Sequence, residues 1–169
     1  LLHEFPEASA RPQVIHPGSY VHIAKNLKGS LKALTLECWV RRWKIKDYVG
    51  IITQYDSTGA KEFGLFAGPG GALSFCIGNE SAVDDLKQQL SGKTGLVGER
   101  WHHVVGVWTG RHRILFLNGK QVGKWPCKTK LTAGQVPLRL AARGDNGAAG
   151  GFLDGDLPCA PDHRAGADA

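Results

Sequence analysis

The pattern of apolar and polar residues divides the chain into short strand-like segments separated by turns such as DSTG, GPGG and TGR. Strands repeating at roughly 8–12 residues are typical of a sandwich or barrel, whereas βαβ units need helices between the strands. Only residues 81–90, SAVDDLKQQL, are predicted to be helical. The predicted strands are 19–24, 34–43, 49–55, 62–67, 72–78, 101–108, 113–117, 120–125 and 137–142.

The clearest local signal is the stretch RILFLNGKQVGKW, in which Asn118 and Gly119 separate two apolar segments. An Asn-Gly pair tolerates the positive φ that a type I′ turn requires at both central positions. The sequence therefore predicts a tight hairpin joining strand 113–117 to strand 120–125.

The adjacent histidines His102 and His103 lie in the strand-like run WHHVVGVW. Successive side chains of a strand point to opposite faces, so these two imidazoles cannot bind the same ion. We therefore interpret the pair as part of the sandwich framework. Alternation places Trp101, His103, Val105 and Val107 on one face and His102, Val104, Gly106 and Trp108 on the other.

The net charge of +6 is concentrated in the segments KNLKGSLK (25–32) and RRWKIK (41–46). Basic residues interleaved with aromatic ones are one signature of nucleic-acid binding. A solvated strand end with its loop also accounts for such a segment, and we favour this interpretation, so nucleic acid is not an expected partner.

The rest of the composition argues against a membrane protein and against a domain that is stabilised by a structural metal ion. No apolar run approaches the roughly 20 residues of a membrane helix, and residues 1–15 do not resemble a secretory signal. The four cysteines form no CxxC or Cys/His cluster, so no structural zinc site is predicted, and reduced thiols in the cytoplasm are the simplest expectation. Because the chain contains no methionine, we expect a fragment or a processed product.

No motif of a known catalytic centre is present: GxSxG, the P-loop and HExxH are all missing from the sequence. Glu37, Glu62 and Glu99 are isolated acidic residues. A glycosidase needs paired carboxylates, and the only close pair, Asp154 and Asp156, has a glycine between its members. We therefore predict no catalytic residue in this chain.

Two kinds of binding site are candidates. The glycine-rich stretch RGDNGAAGGFLDGD offers Asp145, Asn146, Asp154 and Asp156 as oxygen ligands for calcium, although such runs also form plain turns. Among the tryptophans, Trp39 and Trp101 lie among core-pattern residues. Trp43 and Trp125 lie near strand ends and are the candidates for stacking on a ligand such as a sugar.

Three segments together resemble a known family: LTLECWVRRW, WHHVVGVWTGRHRILFLNGKQVG and GGFLDGDL are similar to successive signatures of laminin-G-like, concanavalin A-like domains. The resemblance implies an all-β, antiparallel jelly-roll β-sandwich over residues 17–157. An extended N-terminal segment (1–16) and a disordered tail (158–169) would flank it. Domains of this kind bind sugars or proteins, so the fold alone does not determine the function.

A narrower resemblance concerns GSYVHIA and LRLAARGDNGAAGGFLDGDL, which look like the lectin-like region of the large subunit of N,N-dimethylformamidase-type amidohydrolases. It implies a non-catalytic accessory module whose partners are the rest of a larger polypeptide or other subunits. In that case the active site for amide hydrolysis lies outside this chain. The alternative hypothesis is a carbohydrate-binding, lectin-like domain, which binds its ligand either with or without calcium.

The C-terminal residues depart from the family pattern. After FLDGDL the family continues with an apolar strand that pairs beside the strand near 34–43, whereas this chain continues with PCAPDHRAGADA. Pro158 and Pro161 lack backbone donors and fit poorly in a central strand. We therefore expect the last strand either to be missing, which leaves the edge of strand 34–43 unpaired, or to be supplied by a partner.

Overall fold

The computed structural model describes residues 12–15, 18–23, 27–44, 48–78, 96 and 98–158. The helix predicted over 81–90 and the predicted tail beyond residue 158 lie outside these residues. Within them, no helix is long and apolar enough to cross a membrane.

Short antiparallel strands make up most of the described chain, as predicted, together with one 3-10 helix at Pro69–Gly71. The predicted strands over 49–55 and 101–108 have the observed bounds, whereas six short strands were not predicted (β1, β3, β11 and β13 to β15). The strands are β1 (Pro12–Ile15), β2 (Val21–Ile23), β3 (Gly29–Leu31), β4 (Leu34–Lys44), β5 (Val49–Tyr55), β6 (Lys61–Ala67), β7 (Leu73–Ile77), β8 (Trp101–Trp108), β9 (His112–Leu117), β10 (Lys120–Pro126), β11 (Leu131–Ala133), β12 (Leu138–Leu140), β13 (Arg143–Asp145), β14 (Ala148–Gly150) and β15 (Asp154–Pro158).

Two larger sheets form the sandwich. The six-stranded sheet has the order β1-β15-β4-β8-β9-β10, and the five-stranded sheet has the order β2-β12-β5-β6-β7. Two small pairings, β3 with β11 and β13 with β14, complete the fold. The ladders between these strands are antiparallel, as expected for a jelly roll.

The core lies between the two large sheets, and β8 shows how the sequence places it there. His102, Val104, Gly106 and Trp108 are buried, and the residues that alternate with them are half-buried. A Cβ at Gly106 would lie 2.9 Å from both Leu65 and Phe75 of the opposite sheet, so this glycine allows close packing of the sheets. The predicted separation of the two histidines onto opposite faces is confirmed.

The predicted hairpin is also confirmed, since Asn118 and Gly119 have φ values of 50° and 77°. The Asn118 side chain contacts both histidines: its Oδ1 accepts a hydrogen bond from the His103 N–H at 2.9 Å, and its Nδ2 lies 3.1 Å from His102 Nδ1. The WHHV run and the NG turn are therefore one structural unit.

The edge of β4 is paired within this chain, so the prediction of an unpaired edge beside strand 34–43 was wrong. β15 pairs with β4 in a register that sets Asp156 opposite Arg41, and β1 pairs with the other side of β15. Gly155 makes this approach possible, because a Cβ there would lie 2.3 Å from the Arg41 carbonyl oxygen. Pro158 occupies the end of the strand, where a missing N–H is tolerated.

Candidate functional site

The site is built on β4, whose alternation sends one set of side chains to the core and the other to the outer face of the six-stranded sheet. Leu34, Leu36 and Val40 are buried in the core. The side chains that alternate with this set, Thr35, Glu37, Trp39, Arg41 and Trp43, face outward. Trp43 is 42% exposed, as predicted from its position at the strand end.

One carboxylate oxygen holds both of these outward side chains. Asp156 is fully buried, and its Oδ2 accepts hydrogen bonds from Arg41 Nε at 2.6 Å and Trp43 Nε1 at 2.9 Å. Its other oxygen, Oδ1, is buried without a hydrogen-bond partner among the described residues. Asp156 therefore fixes the exposed indole ring and the guanidinium relative to one another.

A cleft of 330 Å³ lies against these side chains, and its described lining consists of Arg41, Trp43 and Glu99. We call it the Trp43 cleft. Glu99 is exposed and has φ of 62°, a left-handed conformation that costs a non-glycine residue about 1–2 kcal/mol. The Glu99 N–H donates to the Arg42 carbonyl oxygen at 2.9 Å, which ties this strained turn to β4.

Along the rest of the outer face, two tryptophan rings pack against an arginine and a histidine. The Arg41 guanidinium lies 5.2 Å from the centre of the Trp101 ring. Trp39 stacks on His103 with ring centres 5.0 Å apart, and His103 Nε2 lies 2.7 Å from Glu37 Oε1. Trp39 and Trp101 are thus half-buried on the outer face instead of lying in the core as expected.

The other tryptophans lie toward the sandwich interior. Trp108 is the tryptophan buried in the core. Trp125, the second predicted stacking residue, is half-buried and packs against the core. A Cβ at Gly123 would lie 2.0 Å from the Trp125 ring, so the ring covers the glycine of its own strand.

The predicted calcium ligands lie in different local structures. Asp145 and Asn146 belong to the β13–β14 hairpin, where Asn146 and Gly147 have φ of 50° and 80° and form a second Asn-Gly turn. Asp145 Oδ1 accepts a hydrogen bond from Ser57 Oγ, and Asp156 is held by Arg41. Asp154 is half-buried at the bulge of β15. In the described part of the chain, no three His, Cys, Asp or Glu side chains form a group suited to a metal ion.

A second cavity, of 460 Å³, lies beside the start of β6, and its lining includes no aromatic ring among the described residues. Glu62 is the one carboxylate in its described lining, and hydrogen bonds from other groups of the protein already occupy it. The carboxylate accepts hydrogen bonds from the N–H groups of residues 134, 135 and 136 and from Gln54 Nε2, at 2.6–3.2 Å. We therefore regard Glu62 as a residue that fixes a loop, and the Trp43 cleft as the better candidate site.

Asp56 fixes another part of the fold, and its hydrogen bonds make stability depend on pH. Oδ1 accepts from Thr58 N, Thr58 Oγ1 and Gly59 N at 2.9–3.1 Å, and Oδ2 accepts from Gly147 N at 2.8 Å. Burial raises the pKa of this carboxyl, but the hydrogen bonds from Gly147, Thr58 and Gly59 outweigh it and lower the pKa below its ordinary value.

We predict that Asp56→Asn lowers the free energy of unfolding at pH 7. In this variant the free energy of unfolding should also fall less steeply as the pH is lowered than it does in the parent protein. A carboxyl with a lowered pKa in the folded state stabilises the fold above its unfolded pKa of about 4, and this contribution disappears as the pH falls through the folded pKa. Urea unfolding at pH 7, 4 and 3 measures the effect. Asp154→Asn is the control, and an equal acid response in Asp56→Asn and the parent protein contradicts the prediction.

Comparison with known families gives a match over most of the chain. The family described as the concanavalin A-like lectin/glucanases superfamily matches residues 16–158. No match was found among curated proteins.

Solved structures share the fold at low sequence identity. The CBM40 domain of the Ruminococcus gnavus IT-sialidase, bound to α2,3-sialyllactose, is 12% identical with a TM-score of 0.63, covering 86% of this chain and 85% of that one. Domains LG4-5 of the mouse laminin α1 chain are 13% identical with a TM-score of 0.61, covering 87% of this chain and 40% of that one. The heptameric SAP-like pentraxin of Limulus polyphemus is 16% identical with a TM-score of 0.59, covering 85% of this chain and 71% of that one.

Proposed function

Because the chain belongs to the concanavalin A-like lectin/glucanase superfamily, we propose that it is a carbohydrate-binding domain whose ligand stacks on Trp43. The observation that carries the proposal is an exposed indole ring whose orientation is fixed by a hydrogen bond to a buried carboxylate. A ring fixed before binding loses little conformational entropy when a sugar packs against it. The charged groups of Arg41 and Glu99 line the same cleft and can bond to sugar hydroxyls.

The related structures favour carbohydrate binding over the accessory module of an N,N-dimethylformamidase-type enzyme. One of the structures with this fold holds sialyllactose, and the amidohydrolase hypothesis rests on the sequence resemblance of GSYVHIA and the segment around 143–156. A carbohydrate-binding domain can also be one part of a larger polypeptide, so the two hypotheses differ in the ligand they predict. The cytoplasmic location and the partner subunits stay predictions.

We predict that Trp43→Ala weakens glycan binding by at least about tenfold, equivalent to ~1.4 kcal/mol. Removing the ring deletes the stacking surface and leaves the core untouched, so the melting temperature should change little. The measurement is a glycan array followed by calorimetric titration of the bound glycans, with calcium and with EDTA to test whether binding depends on the ion.

Tyr20→Ala is the matched control, because Tyr20 is another exposed ring, 40% accessible, and packs against Phe152 instead of lining the cleft. It should bind glycans as the parent protein does. Equal loss in both variants, or no loss in Trp43→Ala, contradicts the proposed site. No binding to any glycan contradicts the proposed function itself.

A further inference from the structure

We infer that the Trp43 cleft selects neutral or amine-bearing sugars and discriminates against carboxylated sugars. The inference rests on the proposed function and identifies the class of ligand. Three charged groups among the described residues carry it, those of Arg41, Asp156 and Glu99, because they differ in whether their charge is already neutralised inside the protein.

The positive charge in the cleft is already paired. Arg41 Nε lies 2.6 Å from Asp156 Oδ2, and the guanidinium is also positioned over the Trp101 ring. A carboxylate on a ligand would have to compete with Asp156, which is fully buried and cannot move into solvent. Arg41 is therefore a poor receptor for an acidic sugar.

The negative charge in the cleft has no partner among the residues that the structure describes. The Glu99 carboxylate makes no side-chain hydrogen bond or ion pair with them, and Glu99 is exposed. A carboxylate accepts hydrogen bonds and donates none, so it suits sugar hydroxyls or an ammonium group. It repels a carboxylate on the ligand, and an ammonium group would also be attracted by the face of the Trp43 ring.

The backbone at Glu99 supports the same conclusion. Its left-handed φ of 62° would be easier for glycine or asparagine, and the bond from the Glu99 N–H to the Arg42 carbonyl oxygen maintains it. Strained residues of this kind occur where the surrounding structure holds a side chain for binding or catalysis. Here the strained residue places its carboxylate in the lining of the Trp43 cleft.

The experiment compares pairs of glycans on an array, each with and without a terminal sialic or uronic acid residue, and glucosamine oligomers with and without N-acetyl groups. We expect the parent protein to bind each acidic member at least about tenfold more weakly than its neutral partner at low salt, where charge repulsion is least screened. Glu99→Gln should reduce this difference to within about threefold and remove any preference for free amino groups.

Glu37→Gln is the matched control, since Glu37 is an exposed carboxylate on the same outer face whose partner is His103. It should keep the selectivity of the parent protein. The inference is overturned if acidic glycans bind as well as their neutral partners, or if Glu99→Gln leaves the selectivity unchanged while Trp43→Ala still weakens binding. If Trp43→Ala has no effect, the proposed site fails, and if no glycan binds, the proposed function fails; in either case the inference fails with it.

Discussion

Replacing Glu62 with alanine is expected to lower the free energy of unfolding by about 3–5 kcal/mol, because it leaves the buried Gln54 side-chain donor and three partly buried backbone donors without their acceptor. The carboxylate holds the N–H groups of residues 134–136 and the side chain of Gln54. Gln54 in turn bonds to both backbone groups of Leu27, so the variant loosens two loops at once. Urea unfolding followed by tryptophan fluorescence measures the change.

Glu37→Ala is the control for this prediction. The Glu37 side chain is 62% exposed and its contact with His103 lies in solvent, so its loss should cost about 0–1 kcal/mol. Glu62→Gln should fall between the two variants, because an amide retains one acceptor oxygen and directs two donors at a site that already contains donors. Equal stabilities for Glu62→Ala and Glu37→Ala would show that water replaces the carboxylate.

The features predicted correctly from the sequence are those whose determinants lie close together in the chain. The β8 strand follows from alternation within eight residues, and the β9–β10 hairpin follows from one Asn-Gly pair. Glu62 could not be assigned a role in this way, because its partners lie 72 to 74 residues further along the chain. An isolated acidic residue in a strand gives no signal of a loop that folds over it.

In the candidate site, too, the feature with a local determinant was predicted correctly and the contact with a distant partner was not. The exposure of Trp43 followed from its position at a strand end, but the partner that orients it, Asp156, lies 113 residues away. The sequence alone makes Asp156 a candidate calcium ligand, because an aspartate that binds a metal ion and one that pairs with an arginine are the same residue type and cannot be told apart in the sequence. The strand that carries it, DGDLP, lacks the β-branched and aromatic residues that indicate strands. Its pairing depends on the close approach of Gly155 to β4.

Asp156→Asn is expected to weaken glycan binding by up to about tenfold, approaching the effect of Trp43→Ala, although Asp156 is not among the described residues that line the cleft. The amide cannot neutralise the guanidinium, so Arg41 loses its counter-charge and becomes free to rotate away from Trp101. The amide offers the indole N–H at most a neutral acceptor in place of a charged one, so the ring of Trp43 is held less firmly in one orientation before the ligand arrives.

The same substitution should lower the free energy of unfolding by about 1–3 kcal/mol, a moderate loss because the half-exposed Arg41 can be rehydrated. Asp154→Asn, on the same strand and half-buried, is the control and should leave both quantities unchanged. Titration of the bound glycans, together with urea unfolding of each variant, separates the two effects. A destabilised Asp156→Asn protein that binds glycans with the parent affinity would mean that the carboxylate only holds β15 to β4. Lost affinity in a variant that is fully folded at the titration temperature would identify Asp156 as the residue that positions the binding surface.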